Sequence, residues 1–232
     1  MPIPVVAITN QSTVLTDDQV KVVLPALQKQ VTGEFRAYWD IDCTLEFLPK
    51  GETLTKGWWQ IVIIDNPDLA GALGYHELSS QGTPLGKVFA KLDIDYGQAW
   101  TVTFSHELLE MLADPWINWM AEGEDGQIYA LEVADPVEAD ELGYSIDGVL
   151  VSDFVTPGWF EHTQNDRVDF KQRIHNRLEL APGGYISVLD PNHGWIQVTA
   201  RHASKLALAE PPVGSRRQRR TIAKKDWRIS IL

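Results

Sequence analysis

From residue 93 to residue 114 the chain has no lysine or arginine, yet it carries His106, Glu107 and Glu110 among apolar neighbours. A surface helix ordinarily shows basic side chains on its outer face, so this segment has few folds open to it. It reads as a helix over about residues 97–112, stopped by Asp114-Pro115. Trp100, Phe104, Leu108, Met111 and Leu112 form one apolar stripe. Ala99, Thr103, His106, Glu110 and Ala113 form a second, small except where it is ionisable. The pattern predicts a helix buried along one face and open along the other, as the floor of a cleft would be.

His106 and Glu110 are four residues apart, so a helix stacks them on one face within reach of a single ion. Glu107 sits about 100° around the helix, where a carboxylate touches a water held by the ion rather than the ion itself. The pattern is H-E-x-x-H with glutamate at the second histidine. A carboxylate oxygen binds zinc at about 2.0–2.2 Å, as an imidazole nitrogen does, so the exchange preserves geometry and adds negative charge. Zinc is the expected cofactor, with another divalent ion as the alternative, and Glu107 is the expected base. The competing reading is an ordinary helical His-Glu pair, and His76-Glu77 shows how little that dipeptide says by itself.

A third ligand is sought in YALEVADPVEADE, where Glu132 and Asp135 follow. Residues 128–133 read as a strand with Asp135 just beyond it at Pro136, so the two carboxylates point in different directions. Glu132 is the preferred direct ligand, and Asp135 is expected to hold His106 or the strand end. His76 reads as part of a Gly-rich loop ahead of a strand at 87–92. Its candidate role is to stabilise a developing oxyanion, against the alternative of a surface histidine. Tyr144 is a second candidate for that role. His162, His175, His193 and His202 lack ligand spacing and read as structural.

Around this helix the pattern predicts a strand at 3–9 and a helix opened by Thr16, Asp17 or Asp18 that runs through Val31, with Pro25 as a kink. Strands follow at 44–48, 58–64 and 87–92. Past Pro115 come the strand at 128–133, a hairpin at 144–154 turning on Asp147-Gly148, a short helix within 165–180, and strands at 185–189 and 195–199. Asp153, Trp159 and Phe160 read as a packing and turn segment. The fold class is α+β. Its expected organisation is an N-terminal subdomain at 1–115 bearing the helix, a strand- and loop-rich subdomain at 116–213 completing the site, and a basic flexible tail at 214–232.

Gly74-Tyr75-His76, Ser105-His106-Glu107-Leu108 with Glu110, Asp114-Pro115, and Glu132-Val133-Ala134-Asp135 together resemble the spaced motifs of the EXORDIUM-like (phosphate-induced) proteins and of related bacterial and phage zincin-like proteins. The resemblance spans residues 73–160. It implies a zincin-like fold with a mixed sheet and metal-ligand roles for His106, Glu110 and an acidic residue within 132–135. The cysteines of those plant proteins are missing here, so their disulfide-bonded, secreted state does not carry over.

Thirty-two acidic against 20 basic residues give a formal charge of −12. Seven basic residues against Asp226 leave 214–232 at +6, so the remainder stands at −18. That charge disfavours nucleic acid as a partner, except through the tail. The one cysteine, Cys43, excludes an internal disulfide and any thiolate metal site. No basic and apolar leader opens the chain and no run approaches 18 apolar residues, so a soluble cytoplasmic protein acting on peptide or protein is expected, either as a zinc-dependent hydrolase or as an inactive zincin-fold binding protein.

Overall fold

The computed structural model describes residues 3–66, 73–123, 125–162 and 167–200. The tail at 214–232 and His202 lie outside these residues. The chain folds as a mixed α+β protein. Its first sheet contains β1 (Val5–Asn10), β2 (Thr44–Phe47), β3 (Trp59–Ile64), β4 (Gly74–Leu78) and β5 (Pro84–Phe89), in the order β2-β1-β3-β5-β4. β2, β1, β3 and β5 are parallel, and β4 runs antiparallel to β5 at the edge. The inner strands are apolar because both their faces are covered: Val6, Ala7, Ile8, Ile61 and Ile63 are buried.

Helix α1 (Asp17–Lys29) opens with a capping box in which the Thr16 side chain accepts from Gln19 N and the Gln19 side chain accepts from Thr16 N. Pro25 lies inside it without ending it. The rod continues through a π-helical segment, Gln30–Phe35, into α2 (Arg36–Trp39). A wide turn of this kind rotates the side chains that follow it, and Gln30 emerges fully buried against the next long helix. That helix, α4 (Trp100–Ala113), follows a short α3 (Ala90–Asp95) and packs against β4 and β5.

Three expectations are corrected here. The strand placed at 87–92 is β5, which ends at Phe89, because the backbone leaves the strand there and coils into α3. The segment around His76 is not a loop but β4. Gly74 disguises it: a Cβ there would meet Glu107 Cγ and Thr103 Cγ2, each at 2.8 Å, so glycine is what lets α4 approach the sheet. No helix forms among the described residues of 165–180, where Gln172 and Leu178 take positive φ and Asp169 bridges to Val155.

Beyond α4 a second, antiparallel sheet has the order β11-β10-β7-β6, from β6 (Met120–Glu122), β7 (Ile128–Ala130), β10 (Tyr185–Asp190) and β11 (Gly194–Thr199). β8 (Tyr144–Ile146) and β9 (Val149–Val151) form the expected hairpin, with Asp147 at φ 51° and Gly148 at φ 86° supplying its turn. One hydrophobic cluster runs from Val6 and Ile8 through Phe104 and Leu108 to Trp159, Phe160, Ile186 and Val188, so residues on both sides of position 115 share a core. Among the described residues, no helix is long and apolar enough to cross a membrane.

Asp153 and Asp169 are both fully buried. Asp153 Oδ1 accepts from Phe154 N and Lys171 N, and Asp169 accepts from Arg173 N and Ile174 N. Burial first, and then the charge of Asp169 and a hydrogen bond to it, push the Asp153 carboxyl from its ordinary 3.8 up to about 8. A group whose pKa is raised by folding stabilises most below its unfolded pKa, and the contribution is lost as pH rises to the folded value. Melting temperature should therefore fall between about pH 4 and about pH 8, and Asp153→Asn, which can donate to Asp169 at any pH, should flatten that slope. An unchanged slope in the variant would remove this pair as its source.

Candidate metal centre

Helix α4 was expected to keep one face open. Every residue from Thr101 to Ala113 is instead buried. The residual exposure lies mainly at Thr101, Thr103, His106 and Glu107, at 5–9% each. The covering segments come from far along the chain. Behind the helix, Ser105 Oγ donates to Gln30 Oε1 at 2.7 Å, Ser152 N donates to Ser105 Oγ, and Gln30 Nε2 donates to Ser152 O and to the Tyr144 hydroxyl. The Tyr144 hydroxyl in turn donates to Glu34, so the bonds of Tyr144 tie it to the α1 rod and give it a structural role.

On the ionisable side, His106 Nε2 stands 3.4 Å from Glu110 Oε1 and 3.1 Å from Asp135 Oδ1. These three buried residues each bring a ligand atom within 4.8 Å of the other two. An imidazole nitrogen carries one proton and serves one hydrogen bond, yet here it addresses two carboxylates at once. Ligands about 2.0–2.2 Å from a tetrahedral ion stand about 3.3–3.6 Å apart, close to the separations found. One imidazole nitrogen with two carboxylate oxygens suits zinc and other borderline divalent ions.

Glu110 is held by its own helix and by Ala134 N, which donates to Glu110 Oε1 at 3.3 Å. Asp135, expected just beyond a strand reaching Val133, begins a 3-10 turn, Asp135–Val137. β7 stops at Ala130, and the chain then bends to place Asp135 over α4. Gly184 secures that bend. A Cβ at Gly184 would come within 2.2 Å of Pro136 O, so only glycine lets the start of β10 run against the turn. Glu132, the preferred ligand from sequence, is 1% exposed but belongs to neither convergent group among the described residues. The strand alternation used to orient it does not exist at that position.

The electrostatics are those of a buried anionic cluster. Burial lowers the pKa of His106, but the charge of Glu110 and the hydrogen bond with Asp135 outweigh it and hold the imidazole well above 6.5. Burial, then the charges of Glu110 and Glu132, raises Asp135 well above 3.8 against the pull of His106. Glu138 is raised by burial foremost. Uncompensated buried carboxylates are costly, and a divalent cation is one way to compensate them.

Glu107 faces the other way round the helix, with Oε2 3.8 Å from His76 Nδ1 across the gap to β4. Burial pushes Asp93 up to about 7, against a hydrogen bond from Thr103 Oγ1, with Asp140 and Glu107 as further negative neighbours. Tyr185 was read only as a strand residue. Its hydroxyl is raised well above 10 by burial and then by the charges of Asp135, Glu138, Glu110 and Glu132, so it remains a neutral donor beside the cluster. Nothing in the spacing of Tyr185 pointed to this, because β10 reaches the site only through the second sheet. His162, His175 and His193 join neither convergent group. No family model, curated protein or solved structure matches the chain.

Proposed function

We propose that this protein is a zinc-dependent hydrolase of zincin-like architecture acting on peptide or protein. The convergence of His106 Nε2, Glu110 and Asp135 within a buried anionic cluster carries this reading. A divalent ion held there would supply Lewis acidity, polarising a carbonyl and making water a better nucleophile at neutral pH.

The chain's own groups supply the rest. Glu107, next in sequence to His106 and with a carboxylate oxygen within 4.8 Å of one of Glu110, is the carboxylate that takes a proton from the attacking water. His76, opposite Glu107, and the neutral Tyr185 hydroxyl, beside the carboxylate cluster, are the donors assigned to the negative charge that develops on a carbonyl oxygen. β4 lies at the edge of its sheet, and an extended peptide can pair with such an edge while its side chains face α4. Strong negative charge over the body disfavours nucleic acid as the substrate. Cys43 is buried with its thiol pushed up to about 12, by burial and then by Asp42; an inert thiol of this kind is compatible with a cytoplasmic setting.

The burial of α4 from Thr101 to Ala113 favours a second reading, a zincin-fold metal-binding protein without turnover. Metal content of protein purified without an affinity-tag metal, with hydrolysis of a mixed peptide library, separates the two. Bound zinc with cleavage supports the hydrolase, bound zinc without cleavage supports the binding protein, and absence of metal refutes both. Within the site, Asp135→Ala should abolish tight zinc binding, whereas Glu132→Ala should weaken it by only about 10–100-fold, as losing a supporting carboxylate does. The reverse order, read by competition with a chromophoric chelator, would return the ligand role to Glu132.

A further inference from the structure

A second convergent group stands on the same helix. His76, Glu107 and Glu110, all buried, each bring one ligand atom within 4.8 Å of the other two. His76 comes from β4, and the two carboxylates come from successive turns of α4. The 3.8 Å between His76 Nδ1 and Glu107 Oε2 is too long for a hydrogen bond. It matches two ligands that lie about 2.1 Å from one ion and subtend a wide angle at it. Glu110 belongs to both groups. Its Oε1 lies toward His106 and Ala134 N, and a carboxylate has two oxygens to offer. Two-metal centres hold their ions about 3.5–4 Å apart, a spacing that a shared carboxylate can span.

We propose that His76, Glu107 and Glu110 form a second divalent-cation site that shares Glu110 with the first and fills after it. The proposal rests on the zinc reading of His106, Glu110 and Asp135. Charge supports the order of filling. The two groups together contain three carboxylates, so one divalent ion leaves negative charge that attracts another. The second ion meets repulsion from the first and a Glu110 already engaged, so it binds less tightly. It also occupies the carboxylate assigned as base. A Glu107 oxygen bonded to a cation is a poor proton acceptor, so filling the second site slows turnover, and excess zinc acts as a brake on the enzyme.

Equilibrium dialysis of the full chain against zinc ions alone, with elemental analysis at each free concentration, tests this. The expected wild-type curve rises in two steps to two ions per chain. His76→Ala should stop at one ion, and Glu107→Gln, which keeps the shape of the side chain, should also lose the second step while retaining the first. A wild-type curve that saturates at one ion and coincides with that of His76→Ala overturns the second site and leaves the first intact. Two ions in His76→Ala would also overturn it. No ion in the wild type refutes the zinc reading itself. The wild-type stoichiometry decides the matter even if a variant fails to fold.

Discussion

His106→Ala should contain no tightly bound zinc under conditions where the wild type holds its first ion, and Glu110→Ala should behave alike. Each change removes one of three convergent donors, and the two that remain are too few to hold the ion tightly. The loss should be visible in stability as well. Without the imidazole, Glu110 and Asp135 remain at 0% and 2% exposure with neither a cation nor a histidine between them. Removing one partner of a buried ion pair costs about 3–5 kcal/mol, enough to lower the melting temperature by many degrees in a domain of this size. Elemental analysis and thermal unfolding of the two variants beside the wild type check both parts. Equal zinc in wild type and His106→Ala would sink the site.

Glu107→Gln should fail differently. The amide keeps the size of the side chain and its place against Gly74 and β4, so the first ion should stay bound and the fold should be unchanged. What it loses is the capacity to take a proton from water. Removing a general base costs about 10²–10⁴-fold in turnover, which is measurable on any peptide the wild type cleaves. A variant that retains zinc and cleaves at the wild-type rate would remove Glu107 from the mechanism. Loss of all zinc in Glu107→Gln would show that the carboxylate binds the first ion directly, and another base would then be needed.

How far the sequence alone reached depended on the range of the interactions involved. Secondary structure governed by nearby residues was legible: the Thr16 cap, the Asp147-Gly148 turn and the helix ending at Asp114-Pro115 depend on neighbours in the chain. The face shared by His106 and Glu110 follows from helix geometry, so two members of the candidate centre could be named before any fold was known. β4 was missed because its strand character comes from pairing with β5, and Gly74 and His76 carry little intrinsic preference for it.

The identity of the third converging residue belonged to tertiary structure. Glu132 and Asp135 are three residues apart and chemically alike, and the choice between them turns on where β7 stops and how the Asp135 turn is held under Gly184. The same holds for the closure of α4, for Tyr185 at the cluster, and for His76 opposite Glu107. Each joins segments tens of residues apart. A periodic pattern records which face of an element is apolar, but not which distant element covers it. From the sequence came the α+β class and the ionisable helix, because periodicity, caps and turns act within a few residues; the assembled cluster of charges came only from the packing of the two sheets on that helix.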